Sequence, residues 1–170
     1  MSVEEHKKQA PDSVSCMVVT ISDTRTKETD KSGRLMMERL EQKGHSIEEY
    51  RIVHDEKSAI TEALEEGIQQ AKVDVVLTNG GTGIAARDVT VEVVESLIDK
   101  EIPGFGELFR MLSYTEDIGS AALLSRAIAG VSGNTAVFST PGSSGAVKLA
   151  MERLILPELT HVIRELKKDL

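Results

Sequence analysis

Val73-Asp74-Val75-Val76-Leu77-Thr78 runs without a break into Asn79-Gly80-Gly81-Thr82-Gly83, and Thr90 then opens a stretch with Val93, Val94, Leu97 and Ile98 at helical spacing. A short β-branched apolar run bounded by glycines predicts a strand buried on both faces, and the period that follows it predicts a helix. Strand, glycine loop and helix together form the repeating unit of an α/β domain built on a parallel sheet.

Upstream, the same unit recurs twice. Val14 to Ile21 is almost wholly apolar and reads as a second buried strand. Asp30 or Ser32 then caps a helix carrying Leu35, Met36 and Leu40, which stops at Gly44. Ile47 to Val53 alternates as a further strand. Ser58 starts a helix striped by Ile60, Leu64, Ile68 and Ala71. Downstream, Pro103-Gly104 is expected to break the chain, with helical stretches over Gly106–Tyr114 and Ala121–Ala127. Thr135 to Ser139 reads as a strand ending at Pro141-Gly142. Helices follow on either side of Pro157, the last striped by Leu159, Val162, Ile163 and Leu166. The expected fold is a three-layer α/β/α sandwich with a mostly parallel central sheet. Residues 13–170 form a single domain, preceded by a polar, flexible arm over residues 1–12.

Composition narrows the function classes. A chain of 170 residues supports one ordinary core without a staple. Its single cysteine, Cys16, excludes an intrachain disulfide, and a reducing cytoplasm is the expected compartment. No apolar run reaches the roughly 18 residues of a membrane span, and the N-terminus is charged rather than signal-like. Twenty Lys and Arg against 28 Asp and Glu give a net charge of −8, which opposes a nucleic-acid groove. Ten of the 13 glycines fall between Asn79 and Gly145, so a small anionic ligand, if there is one, is expected in that half.

The Thr78–Gly83 junction carries the strongest local signal. Glycines let consecutive backbone N–H groups converge on phosphate oxygens without a lysine, and the helix opening at Thr90 adds its positive end. A tight turn that is merely glycine-rich is the plain alternative. Asp23, Asp55 and Asp88 follow three successive strands, where they could meet as oxygen ligands for Mg²⁺ or serve separately as turn-formers. Gly81-Thr82-Gly83-Ile84-Ala85-Ala86 matches a dinucleotide fingerprint formally. The acids at the expected spacing, Asp99 and Glu101, fall at a helix end, so the match is set aside. No P-loop lysine motif, Gly-x-Ser-x-Gly elbow or zinc-type histidine spacing is present.

Thr78-Asn79-Gly80-Gly81-Thr82-Gly83, Arg87-Asp88-Val89-Thr90, Pro103-Gly104-Phe105 with Glu107 and Arg110, Leu124-Ser125-Arg126-Ala127 and Pro141-Gly142 come in an order that resembles the molybdopterin-binding family. The likeness covers residues 14–168. It implies a trimer or a pair of trimers and a place in molybdenum cofactor synthesis. Adenylyltransferase members move AMP from Mg-ATP to the terminal phosphate of molybdopterin and release pyrophosphate. By this resemblance Asp55 and Asp88 are the catalytic, Mg²⁺-holding pair. Gly80, Gly81, Thr82 and Gly83 form the phosphate loop, and Ser113, Ser125, Arg126, Pro141, Gly142 and Ser143 line the pterin side. Asp23 joins the substrate-binding set, and Arg126 with Arg110 or Lys148 offsets anionic charge. The alternative is a non-catalytic carrier of molybdopterin using the same pocket.

Overall fold

The computed structural model describes all of residues 1–170. Its centre is a six-stranded sheet in the order β2-β1-β3-β6-β5-β4. The strands are β1 (Ser15–Ile21), β2 (Ser46–Val53), β3 (Val75–Asn79), β4 (Lys100–Glu101), β5 (Ile128–Ser132) and β6 (Thr135–Thr140). β2, β1, β3 and β6 are parallel, whereas β5 runs antiparallel to β6 and β4 antiparallel to β5.

Alternation along each strand divides the core into two layers. Cys16 and Val18 of β1, with Val75 and Leu77 of β3, face the side covered by α2 (Lys31–Gln42), α5 (Pro103–Glu116), α6 (Ser144–Ala150) and α7 (Leu156–Lys167). Met17, Val19 and Ile21 face the other side, with Val76, under α3 (Lys57–Gln69) and α4 (Thr90–Leu97). The three-layer sandwich is therefore as the sequence predicts. Side chains such as Phe109, Met36, Leu40 and Leu64 are fully withdrawn from water, each contributing about 2–3 kcal/mol of burial. No helix is long and apolar enough to cross a membrane.

Several elements differ from expectation. Pro103 does not interrupt the chain but occupies the first turn of α5, where its missing N–H costs nothing. The second predicted helix, Ala121–Ala127, is a 3-10 turn over Gly119–Leu124, after which the chain straightens into β5. Pro157 sits inside one nearly continuous helical run. A wider π-helical segment, Met151–Ile155, absorbs the missing donor just upstream. Thr90 begins α4 but does not cap it, and α3 starts at Lys57.

The N-terminal arm is also more ordered than predicted. Residues Val3–Lys8 form helix α1, closed by a reciprocal capping box between Ser2 and Glu5. Side-chain contacts hold it on α7: Lys7 pairs with Glu158, His6 lies 3.0 Å from Glu165, and Arg164 donates to Gln9 at 2.7 Å.

Sheet order positions the site. From β1 the chain crosses over one face through α2 to β2, then returns over the other face through α3 to β3. Loops leaving the ends of β1 and β3 therefore diverge to opposite faces and leave a crevice between them, where open α/β sheets bind ligands. Register keeps that rim level, because Thr20, Asn79 and Thr140 are direct neighbours across three strands.

Candidate active site

Asn79 anchors the rim from below. Its amide donates to Thr20 Oγ1 at 2.9 Å and its carbonyl accepts from Ser32 at 3.1 Å, tying β3 to β1 and α2. Directly after it, Gly80 takes φ +98° and donates its N–H to the Thr140 carbonyl at 3.1 Å. Gly81 follows at φ +66°, also in the region that favours glycine. The amides of Gly81, Thr82 and Gly83 donate to no group of the protein. They are the open donors that a phosphate nest requires.

Three aspartates from three loops gather beside this turn. Asp55 follows β2, and its Oδ1 is buried with no hydrogen-bond partner. A Cβ built on Gly81 would stand 3.1 Å from that oxygen, and one on Gly83 would stand 2.5 Å from Asp88 Oδ2. Both carboxylates thus border the glycine turn. Asp88 Oδ2 also accepts the Ala85 amide at 3.0 Å, which folds residues 85–88 into a tight turn. Asp23 is differently employed. Its Oδ1 takes the Asp55 amide at 3.0 Å and its Oδ2 takes the Arg87 guanidinium at 2.8 Å, so it clasps three loops together.

Electrostatics separates the two functions. Hydrogen bonds from the Asp55 amide and then from Arg87 hold Asp23 below the usual carboxylate range. Asp55 moves the other way: burial raises it first, and the charges of Asp88 and Asp23 raise it further against the pull of Arg87. A carboxyl raised in the folded state loses stability as pH climbs from its unfolded pKa near 4 to its folded value. Asp55→Asn should therefore raise the melting temperature at pH 7 in EDTA by about 1–3 °C. The gain should vanish below about pH 4. Thermal scans across pH measure it, and a destabilised variant at pH 7 would contradict the crowding.

Other expected site residues are placed less directly. Arg126 lies behind the loop, not over it. Nε meets the Thr82 carbonyl at 3.0 Å, Nη2 meets the Gly83 and Asp88 carbonyls at 2.8 and 3.2 Å, and Glu92 pairs with its end. With those donors engaged it braces the turn. Ser143 caps α6 by accepting the Ala146 amide at 3.2 Å. Gly142 packs on Gly80, since a Cβ there would lie 3.1 Å from the Gly80 Cα. Pro141 is half-buried just before it, at the end of β6. Arg110 and buried Ser113 stand on α5, with Arg110 lying over Gly106, while Ser125 closes the 3-10 turn ahead of Arg126.

The reading from sequence passes over Arg25, which bonds the Gly142 carbonyl at 3.2 Å and also pairs with Ser32 and Asp30. Only its position just past a strand end could have marked it. Asp30 is fully buried. Burial opposes its ionisation, but hydrogen bonds from Thr20, Tyr50, Gly33 and Arg25 outweigh it and hold the carboxyl low. The largest clefts lie elsewhere, one of about 860 Å³ along acidic α3 and one of about 650 Å³ between α7 and β5.

This rim belongs to a chain whose residues 17–161 match the family model described as "Probable molybdopterin binding domain". The chain belongs to the molybdopterin-binding family. Among members of the family, it is 65% identical over 169 residues to molybdenum cofactor biosynthesis protein B of Bacillus subtilis, covering 99% of each chain. A crystal structure of a protein of that name superposes with a TM-score of 0.91 at 62% identity, over 94% of this chain and 99% of the other. The tungsten cofactor synthesizing protein MoaB from Pyrococcus furiosus gives 0.83 at 40% identity, over 93% and 99%. The family model spans the Asp23 clasp, the glycine turn, Asp55, Asp88 and Arg126 alike.

Proposed function

We propose that this protein acts in molybdenum cofactor biosynthesis. It binds molybdopterin at the β1–β3 rim and transfers AMP from ATP to the terminal phosphate of that pterin. The observation that carries the reading is the meeting of Asp55 and Asp88, from separate turns, at a glycine loop whose amides are unengaged. The names of its relatives support the pathway, and the family description supports the pterin.

In the reaction, a phosphate oxygen of molybdopterin attacks the α-phosphorus of ATP. The bond between that phosphorus and the bridging oxygen breaks, and pyrophosphate leaves with the bond pair. Such transfers depend on positioning and charge compensation. The amides of Gly81 to Gly83 would hold phosphate oxygens in place, and Arg126 and Glu92 would keep those amides aimed by gripping the loop from behind. Asp55 and Asp88 would hold Mg²⁺. The fit is physical, because a buried carboxylate oxygen without a partner, raised by two neighbouring negative charges, is what a divalent cation would complete. When bound, the ion supplies neutralisation of triphosphate charge. Asp23, already engaged, would fix the spacing of the three loops.

The second reading, a carrier that binds the pterin without chemistry, is favoured by the engagement of Arg126 with the loop carbonyls and with Glu92. Incubating the protein with molybdopterin, ATP and Mg²⁺ and measuring pyrophosphate separates the two. Pyrophosphate stoichiometric with adenylylated pterin is expected, and pterin binding without pyrophosphate would establish the carrier. We also propose a homo-oligomer, a trimer or a pair of trimers. Support comes from an exposed apolar face on α5 and the 3-10 turn, comprising Leu108, Met111, Tyr114, Ile118, Leu123 and Leu124.

A further inference from the structure

Thr90 is fully buried in the first turn of α4, and its amide donates to the Gly81 carbonyl at 3.0 Å. Its hydroxyl, however, has no hydrogen-bond partner. Asp55 Oδ1 is the one other buried side-chain oxygen of the molecule in that state. Buried polar atoms left alone are rare in folded proteins, and each calls for a partner or a functional reason. Here the two face one spot. A Cβ built on Gly81 would stand 2.2 Å from Thr90 Oγ1 and 3.1 Å from Asp55 Oδ1. Glycine at position 81 keeps that spot open, and the two oxygens border it from different elements, α4 and the β2–α3 loop.

We propose that Thr90 is a further cation ligand, its hydroxyl completing with Asp55 the oxygen set for a divalent metal at the rim. The inference rests on the proposal that Asp55 and Asp88 hold the metal, and it adds a residue from a third element. A neutral hydroxyl ligates through a lone pair and loses no proton, so it adds an oxygen without adding to the charge already crowded there by Asp23, Asp55 and Asp88. Two carboxylates with a hydroxyl form a hard oxygen set suited to Mg²⁺ or Mn²⁺, as the hydroxyl of phosphate-binding loops is to Mg²⁺.

The test titrates Mn²⁺ alone into the full chain, reading free Mn²⁺ by electron paramagnetic resonance, with thermal melts in EDTA alongside. Thr90→Val keeps the shape and removes the oxygen. It should weaken Mn²⁺ binding at least about tenfold, while melting in EDTA at the wild-type temperature or above, since no hydrogen bond is lost. Thr90→Ser should bind Mn²⁺ as wild type does, and Asp55→Asn should lose it. Thr90→Ala serves the same purpose should the valine variant fail to fold. Wild-type Mn²⁺ affinity in Thr90→Val, with binding lost in Asp55→Asn, would overturn the role of Thr90 and leave the aspartate reading standing. Undiminished binding in Asp55→Asn, or none in the wild type, would overturn both. A Thr90→Val protein destabilised in EDTA, with affinity not restored by serine, would show a packing role instead.

Discussion

Asp88→Asn should lower pyrophosphate release from molybdopterin and ATP by about 100- to 1,000-fold while leaving the melting temperature within about 2 °C of wild type. The substitution separates two duties of one side chain. Asp88 Oδ2 accepts the Ala85 amide at 3.0 Å, and the asparagine carbonyl can do the same, so the turn over residues 85–88 persists. What disappears is a negative charge beside the glycine loop, and with it half of the pair proposed to hold Mg²⁺. Because the amides of Gly81 to Gly83 are untouched, pterin binding should survive. Initial rates of pyrophosphate release, paired with pterin binding by fluorescence, measure the outcome. Unchanged turnover would remove Asp88 from the chemistry.

Gly80→Ala should produce the largest loss of stability. Two penalties combine at this residue. At φ +98° an L side chain is strained, and its Cβ would lie 2.2 Å from the Ile21 carbonyl oxygen, a backbone atom of β1 that cannot swing aside. Strain and overpacking together cost about 3–5 kcal/mol. Gly44→Ala provides the control, since its φ is +84° but nothing lies within 4 Å of the added carbon. That variant should lose only about 1–2 kcal/mol. Urea denaturation of both gives the clash by difference. Equal midpoints would mean that the β1–β3 rim yields more easily than its packing indicates.

Much of the architecture was legible in residue order because it is local. The apolar runs from Val14, Ile47, Val73 and Thr135 each form a strand, and the stripes at Ile60, Leu64 and at Leu159, Ile163 each form a helix facing the core. β5 was missed although a signal existed. Gly133-Asn134 separates two strand-like runs by two residues, and Gly133 adopts φ +57°, as a tight antiparallel hairpin needs. Ala129 and Gly130 lack the β-branched character that marked the other strands, which weakened that signal. Pro103 misled because proline breaks a helix interior but suits a first turn, and Pro157 because a π-helical segment just upstream lets the helix run on through it.

By itself, the order of residues determined a parallel-sheet domain, a glycine turn at the end of its central strand, and aspartates placed just after strands. Strand and helix periods, and the positive φ that glycine tolerates, are properties of neighbours along the chain. Tertiary structure decided the surroundings of each aspartate. Asp23 and Asp55 stand at equivalent points after adjacent strands, yet Asp23 is neutralised by Arg87 and an amide, whereas an oxygen of Asp55 is buried alone beside Thr90. It also brought Arg126 onto the carbonyls of Thr82 and Gly83, where it braces the glycine loop. Burial and the company of opposite or like charges set the work a carboxylate can do, and both depend on residues 30 to 70 positions away that only the folded sheet brings together.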